Sequence, residues 1–162
     1  MSEAQELISK LESKGLQLAI AESLTGGLLC SELVNVPGAS KVILGSLVAY
    51  QTGLKSSALG VSSELLATVG AVDGEVAVQM AEGIRSRFSL QLMKNTDQVI
   101  GVSTTGVAGP DEQDGKPVGL VFISVVGAKG IQVWEESFSG DRQAIRKQTV
   151  DKTILRIREY IG

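Results

Sequence analysis

The chain has 162 residues, 43% of them hydrophobic and 20% charged, which suits one folded domain with one sizeable core. Its formal charge of -3 gives no general attraction to nucleic acid, and three Phe, two Tyr and one Trp make no platform for stacking bases. With no histidine and a single cysteine, Cys30, the chain excludes Ser-His-Asp and Cys-His catalysis, His-ligated metals and an intrachain disulfide.

Met1 to Glu6 lacks the basic-then-apolar order of a signal peptide, and no apolar run approaches the roughly 20 residues that span a bilayer. A cytoplasmic protein without membrane partners is expected. Leu7, Ile8 and Leu11 predict an amphipathic helix over residues 3–14, stopped by Gly15. Leu16 to Ala21 reads as a buried strand. The corner Glu22-Ser23-Leu24-Thr25-Gly26-Gly27 leads into a helix over 26–36 that holds Cys30 as a buried small hydrophobe. Pro37 and Gly38 break the chain before a second strand, Val42 to Tyr50.

Short helices are predicted between Gln51 and Gly60 and over Glu64 to Val69, the second capped by Ser62 or Ser63. Asp73 caps a long helix whose face is Val76, Met80, Ile84 and Phe88. Val99 to Ser103 is a third strand, followed by a loop from Thr104 to Gly115. Pro117 to Val126 and Ile131 to Phe138 form a hairpin around Gly127-Ala128-Lys129-Gly130. Ser139 to Arg142 opens the last helix, with Ile145, Val150, Ile154, Ile157 and Ile161 on its apolar row.

Helices alternating with apolar strands give an α/β layered fold, and the hairpin makes its largely parallel sheet mixed. Residues 1–162 read as a single domain. Four polar clusters fall at strand ends, where doubly wound sheets bind ligands: Glu22 to Gly27, Tyr50 to Lys55, Thr104 to Pro110, and Ser139 to Arg142. One shared site explains all four.

Ser23 is the candidate nucleophile, although Ser, Thr and Glu at this corner equally suit a helix cap. Without histidine its base must be a lysine, a carboxylate or a tyrosinate. Lys55 qualifies if burial or a neighbouring cation such as Arg142 lowers its pKa; otherwise it is a solvated helix lysine. Tyr50 is a proton relay, an oxyanion donor or a packing aromatic. The N–H groups of Gly26 and Gly27 are candidate oxyanion donors. Gly106 to Pro110 suits close backbone approach to a ligand. Asp111, Glu112 and Asp114 lack EF-hand spacing, and no metal is expected. No Ser-x-x-Lys run and no Gly-x-Gly-x-x-Gly fingerprint occurs. Arg142 opposes the dipole of the helix it opens, which suits an anionic ligand. Arg146, Lys147, Lys152, Arg156 and Arg158 read as a solvated face.

Ala21 to Gly27, Val48-Ala49-Tyr50 through Lys55, Gly70-Ala71-Val72, Thr105 to Pro110 and Phe138 to Arg142 together resemble the CinA C-terminal domain family, in order and over nearly the whole chain. That family includes stand-alone nicotinamide-nucleotide amidases. The resemblance implies a three-layer α/β/α sandwich and hydrolysis of nicotinamide mononucleotide to nicotinate mononucleotide and ammonia, without a metal or organic cofactor. It implies Ser23, Tyr50 and Lys55 as catalytic residues. Thr25, Gly26, Gly27, Thr105, Gly106, Gly109 and Arg142 would bind the pyridine nucleotide, within a homo-oligomer. This chain has Gln51-Thr52-Gly53-Leu54 where the family often has Ser-Asn-Glu-Ala. A non-catalytic nucleotide-binding or regulatory module is the alternative, and an amidase for another small amide is a third reading.

Overall fold

The computed structural model describes residues 1–162. Helix α1, Glu3–Lys14, begins at a reciprocal cap in which Ser2 Oγ accepts the Gln5 N–H and Gln5 Oε1 accepts the Ser2 N–H. It ends at Gly15, whose φ of 64° favours a residue without a Cβ. Leu7, Ile8 and Leu11 are buried, as their spacing predicts.

The sheet contains β1 (Gln17–Glu22), β2 (Ile43–Val48), β3 (Val99–Gly106), β4 (Leu120–Gly127) and β5 (Gly130–Ser137) in the order β2-β1-β3-β4-β5. β1 runs parallel to β2 and β3, whereas β4 runs antiparallel to β3 and β5. Only β4 therefore opposes the common direction, which gives the mixed, largely parallel sheet. The remaining helices are α2 (Leu28–Val34), α3 (Thr52–Leu59), α4 (Ser63–Val69), α5 (Gly74–Gln91) and α6 (Arg142–Ile161).

Strand alternation sorts the helices into two layers. On one face, Leu18, Ile20, Ile100 and Val102 pack with buried residues of α1, α2 and α6. On the other, Ala19, Ala21 and Val99 pack with Leu59 of α3 and with Val76, Met80 and Ile84 of α5. The architecture is a three-layer α/β/α sandwich, and none of its helices is long and apolar enough to cross a membrane. Cys30 is half-buried against the larger core, and burial, with Glu22 nearby, pushes its thiol pKa up.

Several elements depart from the periodicity: α2 is shorter than 26–36, β2 stops at Val48 and β4 starts at Leu120. β3 continues through Thr104, Thr105 and Gly106 rather than ending at Ser103. Gly106 permits this extension: a Cβ there would lie 2.6 Å from Val121 Cγ2 and 2.8 Å from the Leu120 carbonyl. Apolar content alone cannot register such backbone pairing. The basic side chains of α6 are also no uniform solvated face. Arg156 lies 5.1 Å from the Trp134 ring centroid and pairs with Glu136, and Arg158 ties α6 to Glu3 and Glu6 of α1.

The α5 layer sits close because small residues face it. A Cβ on Gly101 would fall 2.1 Å from the Ala81 carbonyl oxygen, and one on Gly83 would fall 1.8 Å from that of Leu59. Helix propensity favours alanine over glycine by about 1 kcal/mol, whereas overpacking against backbone costs about 1–3 kcal/mol. The second effect should win at Gly83. Gly83→Ala is expected to lower stability by up to about 2 kcal/mol in urea denaturation. An unchanged or raised midpoint would mean that α3 and α5 can separate freely.

Candidate active site

The parallel register brings the strand ends together: Glu22 pairs with Val48 on one side and with Thr104 on the other. Glu22 is fully buried, and its carboxylate accepts the N–H groups of Gly27, Leu29 and Cys30 at 3.0–3.1 Å and the Ser46 hydroxyl at 2.9 Å. The unpaired N–H groups that open α2 are therefore satisfied by this carboxylate. They are not available to a ligand.

Ser23 follows directly. Its N–H donates to the Thr104 carbonyl at 3.1 Å, extending the β1–β3 ladder by one residue, and its carbonyl accepts the Gly26 N–H at 3.1 Å. Lys55, in the middle of α3, is 1% exposed, and its Nζ lies 2.9 Å from Ser23 Oγ and 2.8 Å from the Ala49 carbonyl oxygen. Burial lowers its pKa to about 8 from 10.5, because an ammonium without water loses solvation that a neutral amine does not need. Serine and a titratable amine thus meet directly.

A cleft of about 160 Å³ opens onto this pair. Tyr50, Thr105, Gly106, Gly109 and Arg142 line it together with Ser23 and Lys55, as the four-cluster reading predicts. Asp111 and Gln113 also line it. Thr105 Oγ1 donates to the Ala71 carbonyl at 2.6 Å, which fixes the Gly70–Val72 wall. At the rim, Arg142 Nη1 donates to the Gly109 carbonyl and Nη2 to the Tyr50 hydroxyl, both at 2.7 Å.

Four expectations need correction. Thr25, Gly26 and Gly27 do not line the cleft: Thr25 Oγ1 pairs with Thr104 Oγ1 at 2.9 Å, Gly26 donates to Ser23 and Gly27 donates to Glu22. The two glycine N–H groups are consequently no oxyanion donors, whereas the N–H of Leu24, beside Ser23 and in the cleft wall, donates to no acceptor within the chain. Tyr50 does not relay between Ser23 and Lys55, since those two touch and the phenol, on a residue 57% exposed, is held by Arg142. Arg142 is not the cause of the low Lys55 pKa, which follows from burial alone.

Sequence reasoning missed Arg146. Its Nε donates to the Leu24 carbonyl at 2.9 Å and its Nη2 to the Thr25 carbonyl at 2.8 Å. The available signal was its position four residues after Arg142, one helical turn along the same face.

The low Lys55 pKa carries a stability consequence with a definite sign. Its folded pKa lies below the unfolded one, so the cost of charging the buried amine is fully present below about pH 8. Between about 8 and about 10.4 the unfolded chain holds more protons, and stability rises with pH. Lys55→Met lacks this group. Relative to that variant, the wild type is expected to gain about 2 kcal/mol between pH 7.5 and 9.5 in urea denaturation. Parallel stabilities across that window would show that Lys55 titrates normally.

The profile of the CinA C-terminal domain matches residues 1–161. A CinA-like protein of Frankia casuarinae is 41% identical over 156 residues, covering 96% of this chain and 34% of the relative, so the chain spans about a third of that relative's length. Among solved structures, the competence/damage inducible protein CihA from Agrobacterium tumefaciens superposes with a TM-score of 0.88 at 31% identity, covering 100% of this chain and 98% of that one. A CinA superfamily protein from Enterobacter cloacae gives 0.86 at 29% identity, covering 98% and 92%. The chain belongs to the CinA C-terminal domain family.

Proposed function

We propose that the protein is a cytoplasmic amidohydrolase that converts nicotinamide mononucleotide to nicotinate mononucleotide and ammonia through Ser23. The observation that carries this reading is the direct contact between Ser23 Oγ and the buried Lys55 Nζ. At pH 7 roughly a tenth of a lysine with pKa about 8 is neutral, enough to act as a base.

In the proposed reaction, neutral Lys55 takes the Ser23 hydroxyl proton as Oγ bonds to the carboxamide carbon. The carbonyl oxygen becomes an oxyanion facing the Leu24 N–H. Collapse breaks the C–N bond, Lys55 returns its proton to nitrogen, and ammonia leaves. Water, deprotonated by the same amine, then attacks the acyl carbon; the acyl–Oγ bond breaks, Lys55 returns that proton to Ser23 Oγ, and the acid product ionises to the carboxylate. Arg142 uses two of its five N–H donors within the chain, so its guanidinium retains capacity for the 5′-phosphate at the cleft rim.

Ammonia release from nicotinamide mononucleotide tests the reading. Activity is expected to rise with pH through one ionisation near 8, because the base is the neutral amine. Ser23→Ala and Lys55→Arg are each expected to lose at least about 10³-fold in kcat while remaining folded, since guanidinium cannot accept the proton. Binding of the mononucleotide without any ammonia release would instead establish a nucleotide-binding module.

A further inference from the structure

The Ser23 corner is held from two sides by groups of opposite charge. The Glu22 carboxylate takes the N–H groups of Gly27, Leu29 and Cys30. Arg146, reaching from α6 across more than 120 residues of sequence, takes the carbonyls of Leu24 and Thr25. The Ser23 carbonyl is closed onto the Gly26 N–H. Three consecutive carbonyls, those of residues 23, 24 and 25, are thereby fixed: that of Leu24 by Arg146 alone, that of Thr25 by Arg146 together with the Leu28 N–H.

A planar fork suits this task because one rigid group sets two peptide planes at once. A lysine ammonium, a single point with free rotation, lacks the rigid fork that fixes the Leu24 and Thr25 planes relative to each other. The turn is shaped to receive the fork. Gly26 has φ of 57°, and a Cβ there would lie 3.4 Å from Arg146 Nη2. The N–H of Leu24 is given to no acceptor in the chain, so the corner presents an oriented donor beside the nucleophile.

We propose that Arg146 is a positioning residue that sets the Ser23 Oγ–Lys55 Nζ geometry and the direction of the Leu24 N–H without itself touching substrate. This inference rests on Ser23 acting as the nucleophile described above. Arg146 is absent from the cleft lining, whereas Arg142, one turn earlier on α6, stands in it. One helix thus carries a ligand-facing guanidinium and a backbone-facing one. The two predict different kinetics: loss of a cleft contact raises KM, while loss of the clamp lowers kcat and spares KM.

The test compares wild type, Arg146→Ala and Arg146→Lys in two assays. The first is ammonia release from nicotinamide mononucleotide. The second is the rate at which phenylmethanesulfonyl fluoride modifies Ser23, read by mass spectrometry; there Oγ bonds to sulfur, fluoride leaves and Lys55 takes the hydroxyl proton. Ile8→Val, a core truncation in α1 away from the cleft, controls for loss of stability alone. Arg146→Ala is expected to lose about 10- to 100-fold in kcat and in the modification rate, with KM within about threefold and the apparent pKa near 8 retained. Arg146→Lys should recover part of the loss, and the Ile8→Val control should keep wild-type kcat. A KM effect as large as the kcat effect, or a control that falls as far as Arg146→Ala, would overturn the positioning role. Modification of wild-type Ser23 without ammonia release would reject the substrate while leaving the modification rates to decide on Arg146. A wild type inert in both assays would overturn the nucleophile and the clamp together.

Discussion

A carboxylate buried at the end of β1 fixes the corner on which the rest of the site depends. Glu22 lies with β1, β2 and α2 around it, and its two oxygens accept three backbone N–H groups and the Ser46 hydroxyl. A buried carboxylate with fewer partners would carry a large desolvation cost; with four, and at a helix N-terminus, that cost is offset. The next residue, Ser23, inherits this rigidity. What resembles an anion-binding helix start is therefore occupied from within. The cleft beside it is lined by Thr105, Gly109 and Arg142.

Lys55 reverses the electrostatic logic of Glu22. It is almost as fully buried but lacks an acidic partner, and its two hydrogen bonds go to a hydroxyl and a carbonyl. A carboxylate beside it would hold the ammonium charged and useless as a base. The fold thus stabilises one buried charge completely and leaves the other short of compensation. The destabilisation tolerated at Lys55 is what brings its pKa to about 8.

The layered fold was legible because its signals are local: capping at Ser62 and Asp73, glycine stops at Gly15 and Gly60, and apolar rows on α1, α5 and α6. The convergence of Ser23, Tyr50, Lys55, Thr105 and Arg142 was legible because parallel strands put their carboxyl ends on one edge. Hydrogen-bond partners chosen across the fold were not legible. The corner read as a helix cap without saying that Glu22, and not Ser23, would take the N–H groups of α2, and nothing near Arg146 names the carbonyls of Leu24 and Thr25. Gly26 and Gly27 were read as ligand-facing for the same reason: positive φ marks a tight turn without saying what its N–H groups will meet.

Everything proposed for the chemistry requires Lys55 to exchange its proton near neutral pH. Direct NMR titration of the lysine side chains, with Lys55 assigned through the loss of its signal in Lys55→Met, measures that property without assuming a substrate. The account predicts a midpoint near 8 for Lys55. A midpoint at about 10 or above, the range of a solvated lysine, would contradict it.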